Sequence, residues 1–559
     1  MSASVAAPVE PARPAKPAPA RPSLPELVRR HQLVALAVAV GLVIALAVGL
    51  GLGLGLSGGS AAPPDTSAAQ LVPAGALAFL NVSLDRQRPG VARTLKLAST
   101  LPGFSPARGL VRARVGALFG SATGTPAWVG DEAALAVVPS AGSRAGSLVL
   151  FAVRSPVRAR RYLAGVPAST TVFYRGVELR KLSGGSYVAL LGRYLVAGQE
   201  ASVRQAVDVS RGASALASVS AYRQATSAEP PGRVLDLYAP GSGLAALLTS
   251  RTGLLGAVRA LLAGPGLSAV SASLSAAGGG LRLEVHRVFA AGSGAGAGSG
   301  AGAGGGGGAG VNPSLLGRLP ADTAFAAELP GLIGSAPRLL SAASELGVGS
   351  AIGPLLTRLG GALRAEGFDL SGVLGVFSHP TVVAVTGASG RPDLLILTRT
   401  SHPAQARIAL ADLDPSLASL FPASSSGPGV APLFTGRQID GMTIHQLQLG
   451  AGLQVNYTLY HHLVGVSTSV TALTALTRRG SSLGASSALA TALGPSGAGA
   501  GSLVFANLKV LIRLGEQTGL LHGSEFARLA PDLDRISVVG LRARSDKNES
   551  TSELYFHIP

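Results

Sequence analysis

SLVLFAVRSPVRARRYL, residues 147–163, and LLILTRTSHPAQARIAL, residues 394–410, are the same phrase written twice. Each is an alternating apolar run, then a break, then a proline that opens a helix-period stretch. Pro156 falls on Pro403 and Arg160 on Arg407, a constant displacement of 247 positions. The same displacement carries Pro73 onto Pro320, and AALAVVP (133–139) onto PTVVAVT (380–386). Beyond an insertion near PASSSGPG (422–429), YRGVELRKL (174–182) matches IDGMTIHQL (439–447), and GRYLVAG (192–198) matches YHHLVGV (460–466). The two ends, LRLEVHRVF (281–289) and TSELYFHIP (551–559), both read as strands closing a hairpin.

These matches predict two tandem copies of one domain, over 68–290 and 311–559. Between them AGSGAGAGSGAGAGGGGGAG (291–310) reads as a Gly/Ala/Ser linker. As a phosphate loop it lacks the Lys-Ser/Thr that would follow. Within each copy the order is strand, one or two helices, hairpin, helix, hairpin, helix, strand, helix and a final hairpin. Hairpin-joined strands with inserted helices make an antiparallel α+β fold. Pro156 and Pro403 are expected at first helical positions, after Ser155 and His402.

Upstream, residues 33–56 read LVALAVAVGLVIALAVGLGLGLGL without a charge. At about 1.5 Å per residue such a run reaches roughly 36 Å, enough to cross a hydrocarbon core of about 30 Å. The expected anchor spans 31–57 and includes Leu33, Leu36, Val40, Ile44, Leu50 and Leu56, and a short linker follows over 58–67. Arg13, Lys16, Arg21, Arg29 and Arg30 precede it, and no Lys or Arg follows until Arg86. The positive-inside rule then places the Pro/Ala-rich tail 1–30, expected to be disordered, in the cytoplasm and everything after Leu56 outside the plasma membrane. A cleaved signal peptide is the rival reading; it calls for a shorter apolar core and a shorter leading segment. Gly49/Gly53 and Gly51/Gly55 have the small-xxx-small spacing of paired membrane helices, and equally the glycine content common to such helices.

Composition narrows the partners. The 559 residues carry a net charge of +18, almost all from arginine, with only 13% charged residues and 4% aromatics. Mean hydropathy is +0.41. Heavy Ala, Gly, Arg, Leu and Val usage is what a GC-rich genome encodes, so the bland reading of the charge is codon bias. Its functional reading is attraction to anionic lipid or wall polymer. Without a clustered Lys/Arg run or a stacking platform, nucleic acid is not an expected partner. The absence of cysteine excludes disulfides, thiolate metal sites, a cysteine nucleophile and a lipoprotein-type anchor.

Few residues suggest chemistry. His461-His462, read on a strand, point to opposite faces and do not converge on one metal; Arg193 and Tyr194 match them in the first copy. Asp131-Glu132 is a formal acid/base pair, or else a polar turn before a buried strand, and becomes Ser378-His379 in the second copy. GLSGG (55–59) fits a nucleophile-elbow pattern in the wrong context, at the end of the membrane run. Asn81-Val82-Ser83 and Asn456-Tyr457-Thr458 fit the glycosylation sequon by chance. No catalytic residue, cofactor or metal is expected. Pro73, Pro320, Pro156, Pro403, Arg160 and Arg407, matched between the copies, speak for shared folding.

The layout resembles a family of actinobacterial envelope proteins catalogued as domain of unknown function 3352. These have a cytoplasmic Pro-rich tail, one membrane helix and an ectodomain that opens on a phrase like PADTAF (320–325), which PAGALAF (73–79) copies loosely. The resemblance implies a membrane-anchored extracytoplasmic protein and brings no site residues. The expected role is therefore a non-catalytic, single-pass envelope protein whose ectodomain is a binding or scaffold module. Its candidate partners are the membrane, envelope proteins, anionic lipids and wall polymers. A carrier of lipid or another apolar ligand, and an envelope hydrolase, are the alternatives.

Overall fold

The structure, a computed structural model, describes residues 63–106, 109, 128–140, 145–248, 266–291, 314–331, 375–387, 392–411, 434–450, 453–477, 482–494, 500–517, 524–546 and 548–559. The expected tail, anchor and topology residues (Arg13, Lys16, Arg21, Arg29, Arg30, Leu33, Leu36, Val40, Ile44, Leu50 and Leu56) and GLSGG lie outside the described residues. Among the described residues no helix is long and apolar enough to cross a membrane.

Alternating apolar runs become strands throughout. The first half holds β1 (Ala78–Ser83), β2 (Val129–Pro139), β3 (Ala145–Val153), β4 (Ala168–Tyr174), β5 (Val177–Leu182), β6 (Tyr187–Leu191), β7 (Tyr194–Gly198), β8 (Leu235–Pro240), β9 (Leu267–Ala277) and β10 (Gly280–Phe289). The second holds β11 (Thr323–Leu329), β12 (Thr381–Thr386), β13 (Asp393–Arg399), β14 (Phe434–Ile439), β15 (Met442–Gly450), β16 (Leu453–Tyr460), β17 (Leu463–Ser467), β18 (Ser502–Asn507), β19 (Val538–Ser545) and β20 (Glu549–His557). All twenty belong to one sheet, and every pairing is antiparallel. From one edge the order is β4-β5-β6-β7-β3-β2-β1-β8-β9-β10. β10 then pairs with β20 over nine residue pairs, and the order continues β19-β18-β11-β12-β13-β17-β16-β15-β14. Read from its own edge, the second half follows the pairing order of the first. The class is α+β, as the sequence predicts.

Helices cover both faces. They are α1 (Pro89–Ala98), α2 (Pro156–Gly165), α3 (Glu200–Ser210), α4 (Ser220–Thr226), α5 (Gly241–Leu247), α6 (Pro403–Ala411), α7 (Val470–Thr474), α8 (Ser487–Leu493), α9 (Leu508–Gln517) and α10 (Ser524–Leu533). Pro156 and Pro403 open α2 and α6, where proline loses no hydrogen bond. Ser155 caps α2 by accepting the Arg158 N–H at 3.4 Å. On one face of the first half, α3 and α4 pack Val203, Ala206, Val207 and Tyr222 over Phe79, Leu148, Leu150 and Tyr238. On the opposite face α2 packs Ala159 and Leu163 against Phe151, Leu182, Val188 and Leu195. In the second half Leu473 of α7 and Leu489 and Leu493 of α8 join Leu397, Leu503 and Phe505.

Two equivalent helix seats are solved differently. The Ser271 hydroxyl on β9 donates to Ala225 O of α4 at 2.6 Å. On β19 the corresponding contact is bare backbone: a Cβ added at Gly540 would stand 2.0 Å from Ala492 O of α8. Gly540→Ala should therefore push α8 off the sheet and cost about 1–3 kcal/mol, read as a lower denaturation midpoint by circular dichroism.

Candidate functional site

Strand alternation separates Asp131 from Glu132. Both lie inside β2 rather than in a polar turn before it, which corrects the sequence reading. Asp131 faces out and pairs with Arg154, both half-exposed. Glu132 faces in and is 1% exposed. Its Oε1 accepts the Ala68 N–H at 3.0 Å, and its Oε2 accepts the Tyr194 hydroxyl. Arg193, next in chain, stands 4.0 Å from Glu132 and pairs with Asp65. Arg193 also donates to Ser67 Oγ at 3.1 Å, and Asn81 Nδ2 donates to Asp65 O at 3.0 Å. The group latches the segment Asp65–Gln70, where the chain enters the domain, onto the sheet.

Burial pushes the Glu132 carboxyl up to about 7, more than the Tyr194 and Ala68 hydrogen bonds pull it down. Tyr194 rises too, through burial and its bond to Glu132. Burial pushes Asp65 up, but hydrogen bonds from Ser67 and Arg193 outweigh it, so its carboxyl sits below the usual value.

The latch is one end of a polar rank across the sheet. In register, Asn81 of β1 stands beside Asp236 of β8, then Ser273 of β9, Glu284 of β10, Glu553 of β20 and Arg542 of β19. These side chains share one face because register partners do. Asp236 and Glu229 are buried on the same guanidinium, that of Arg233, with Glu229 Oε2 at 3.1 Å from Nε. Arg88 braces the turn beneath by donating to Arg233 O at 3.1 Å and Pro231 O at 2.7 Å. Burial raises both carboxyls, Glu229 to about 9; the Asp236 charge raises Glu229 further, whereas Arg233 and the hydrogen bond with Glu229 pull Asp236 back down. One arginine neutralises one negative charge, so the pair holds a proton.

At the seam between halves, Glu553 accepts two bonds from Arg542, each 2.7 Å, and lies 2.9 Å from Arg282 Nε. Glu284, directly opposite, is raised by burial and then by the charge of Glu553. His286 is held by Ala225 O at 3.0 Å and Glu549 at 3.3 Å. Gln224 also donates to Glu549, at 2.9 Å.

This arrangement can order chain and join halves. The Glu132 carboxyl, raised toward neutral pH, has both oxygens engaged and only 1% of its surface exposed to a substrate.

The other sequence candidates separate. Pro73 bridges to Ala215 and Pro320 to Ser482, outside the named strands. Arg160 and Arg407 are exposed on α2 and α6. His461 and His462 are the two-residue turn between β16 and β17, not strand residues, and His461 has a φ of 53°. The same turn in the first half is Gly192-Arg193, so the correspondence moves by one residue from that read in sequence. Asn81 and Asn456 are fully buried within β1 and β16, which removes both sequons from reach. Sequence reasoning missed Tyr194, Arg193, Asp65, Glu229, Arg233 and Asp236. The signal for the last three was an acidic residue inside the apolar strand LDLYAP, preceded by Arg and Glu at helix-like spacing.

VRARR (157–161) also reads differently once folded. With Ala159 buried, Arg158, Arg160 and Arg161 gather on the outer arc of α2, a cluster of the kind that the sequence reading finds missing.

A family model described as a protein of unknown function (DUF3352) matches residues 126–421. No curated protein matches the chain. Among solved structures it is similar to TP0453 in crystal form IV, at 11% identity and a TM-score of 0.24, over 41% of this chain and 81% of that one. Crystal form III of the same protein matches at 11% identity and 0.25, over 40% and 80%.

Proposed function

The chain belongs to the DUF3352 family of proteins of unknown function, and for this member we propose a non-catalytic, single-pass cell-envelope protein whose ectodomain is a binding or scaffold platform. The N-terminus lies in the cytoplasm and the domains stand outside the plasma membrane. The ectodomain is two tandem copies of one α+β unit. The repeated strand order supports this reading, as do the matched turns Arg175-Gly176 and Asp440-Gly441, all four residues at positive φ. The observation that carries the platform is the β10–β20 seam, which joins both halves into one sheet. Four buried or partly buried carboxylates are spent on that framework: Glu132 on the entry segment, Glu229 and Asp236 on Arg233, and Glu553 on Arg282 and Arg542.

Alkaline carbonate extraction of host membranes, combined with protease added to intact spheroplasts, tests the reading. The full chain should stay in the carbonate pellet, and external protease should remove the domains while sparing an N-terminal tag. Release into the carbonate supernatant, or protection of the domains from protease, overturns it.

A further inference from the structure

The outer edge of β4 is unguarded. Among the described residues β4 pairs only with β5. Its sequence, ASTTVFY, has no charge and no proline, two devices that commonly keep an edge from recruiting a strand. The opposite edge, β14, reads FTGRQI and carries Arg437 and a glycine.

Hairpin geometry tells which backbone groups face outward. Arg175 and Gly176 join β4 to β5 with φ of 48° and 77°, the two-residue connection that closes on a hydrogen-bonded pair. That pair is Tyr174 and Val177, and bonded and non-bonded pairs then alternate. Val172 also bonds inward. Thr171 and Phe173 turn their N–H and C=O groups to the open side.

The side chains on that edge have a basic neighbour. Thr171 is the register partner of Arg180, so Thr171 and Phe173 share the Arg180 face. Tyr174 points to the other face, where its hydroxyl donates to Asp208 at 3.0 Å. Arg180 reaches α2, donating to Leu163 O and, at 3.4 Å, to Val166 O. The end of α2 thus lies over β5, one strand in from the edge. Its outer arc exposes Arg158, Arg160 and Arg161, and Val157 is 61% exposed. None of these three arginines makes an ion pair with a described residue. Phe173 is 73% exposed on the same side. The helix in the same place in the second half, α6, carries only Arg407.

We propose that β4 docks an extended acidic segment of a partner protein, which adds to the sheet as a further strand and sets its carboxylates against Arg158, Arg160 and Arg161. The proposal deepens the binding-platform reading and rests on it. Main-chain bonds to Thr171 and Phe173 supply affinity, and the arginines select acidic side chains. A bilayer offers no strand to satisfy those backbone groups. A second copy of the chain would bring its own α2 arginines to the same edge, against like charge.

The test uses the full chain in phosphatidylcholine nanodiscs and a short fluorescent peptide alternating valine and glutamate. The peptide should bind and slow hydrogen exchange at Thr171 and Phe173. Thr171→Pro removes an outward donor and leaves the β4–β5 ladder intact, so the protein folds and affinity falls by about tenfold or more. Joint replacement R158E/R160E/R161E should weaken binding similarly, with unchanged Trp128 fluorescence reporting an intact fold. Equal binding by Thr171→Pro, or equal binding of a valine–lysine peptide, overturns the proposal. Slow exchange at Thr171 and Phe173 before peptide is added means the chain covers its own edge, and also overturns it. So does capture of phosphatidylglycerol vesicles without peptide binding, which assigns α2 to a membrane surface. None of these failures alters the carbonate and protease result, so the wider reading is judged separately.

Discussion

Arg233→Met destabilises the first half by about 3–5 kcal/mol, because it strands two buried carboxyls that share one counter-charge. The side chains of Glu229 and Asp236 are only 4% and 6% exposed, so water cannot replace the guanidinium. Arg88, which the Asp236 charge also reaches, donates to the backbone carbonyls of Arg233 and Pro231 beside them. The chain has a single tryptophan, and Trp128 is buried among Phe151, Leu163 and Leu195 of the first half. Its fluorescence in a denaturant titration therefore reports that half directly. Adding Glu229→Gln and Asp236→Asn to Arg233→Met removes the stranded acids and should recover most of the loss. An unchanged midpoint for Arg233→Met alone would mean the box is solvated and adds nothing.

The second large effect is on pH. Glu132 is raised from 4.5 to about 7 in the fold. Between those values the folded chain keeps a proton that the unfolded chain has lost, so stability falls as pH rises through the window. The shift corresponds to about 3 kcal/mol by pH 7 relative to pH 4.5. Glu229 acts in the same direction up to about 9, and does so in parent and variant alike. Glu132→Gln, which keeps an acceptor for Ala68 N–H without the charge, should flatten the slope between pH 4.5 and 7. Trp128 unfolding midpoints across that range check it. Parallel slopes in parent and variant would show that Glu132 titrates normally and that its burial is relieved by water.

Much of the architecture is legible in local pattern. The runs around Pro156 and Pro403 break into strand and helix where the alternation stops and proline fixes φ. Paired hairpins are legible for the same reason, since period two and a turn are local facts. Among the described residues the first half has one hairpin and one helix more than the sequence order names, because β6–β7 and α4 are short. The polar site was half-legible. Asp131-Glu132 stands out in the chain, but which of the two is buried depends on the face that α3 and α4 cover. The partners of Glu132 come from Asp65–Ala68 and from Tyr194, far away in sequence, and no period or spacing links them.

By itself the sequence determined the α+β class and the prolines that start α2 and α6, and it carries short phrases that recur at a displacement of 247, because these follow from short-range periodicity and backbone restriction. Only the tertiary structure decided that β10 meets β20, that Glu284 and Glu553 face each other there, and that VRARR lines a helix beside an open edge. Any amphipathic edge strand could in principle pair with any other. The choice rests on the long-range register of backbone hydrogen bonds and on which charges, Arg282 and Arg542 among them, that register brings within reach of one another.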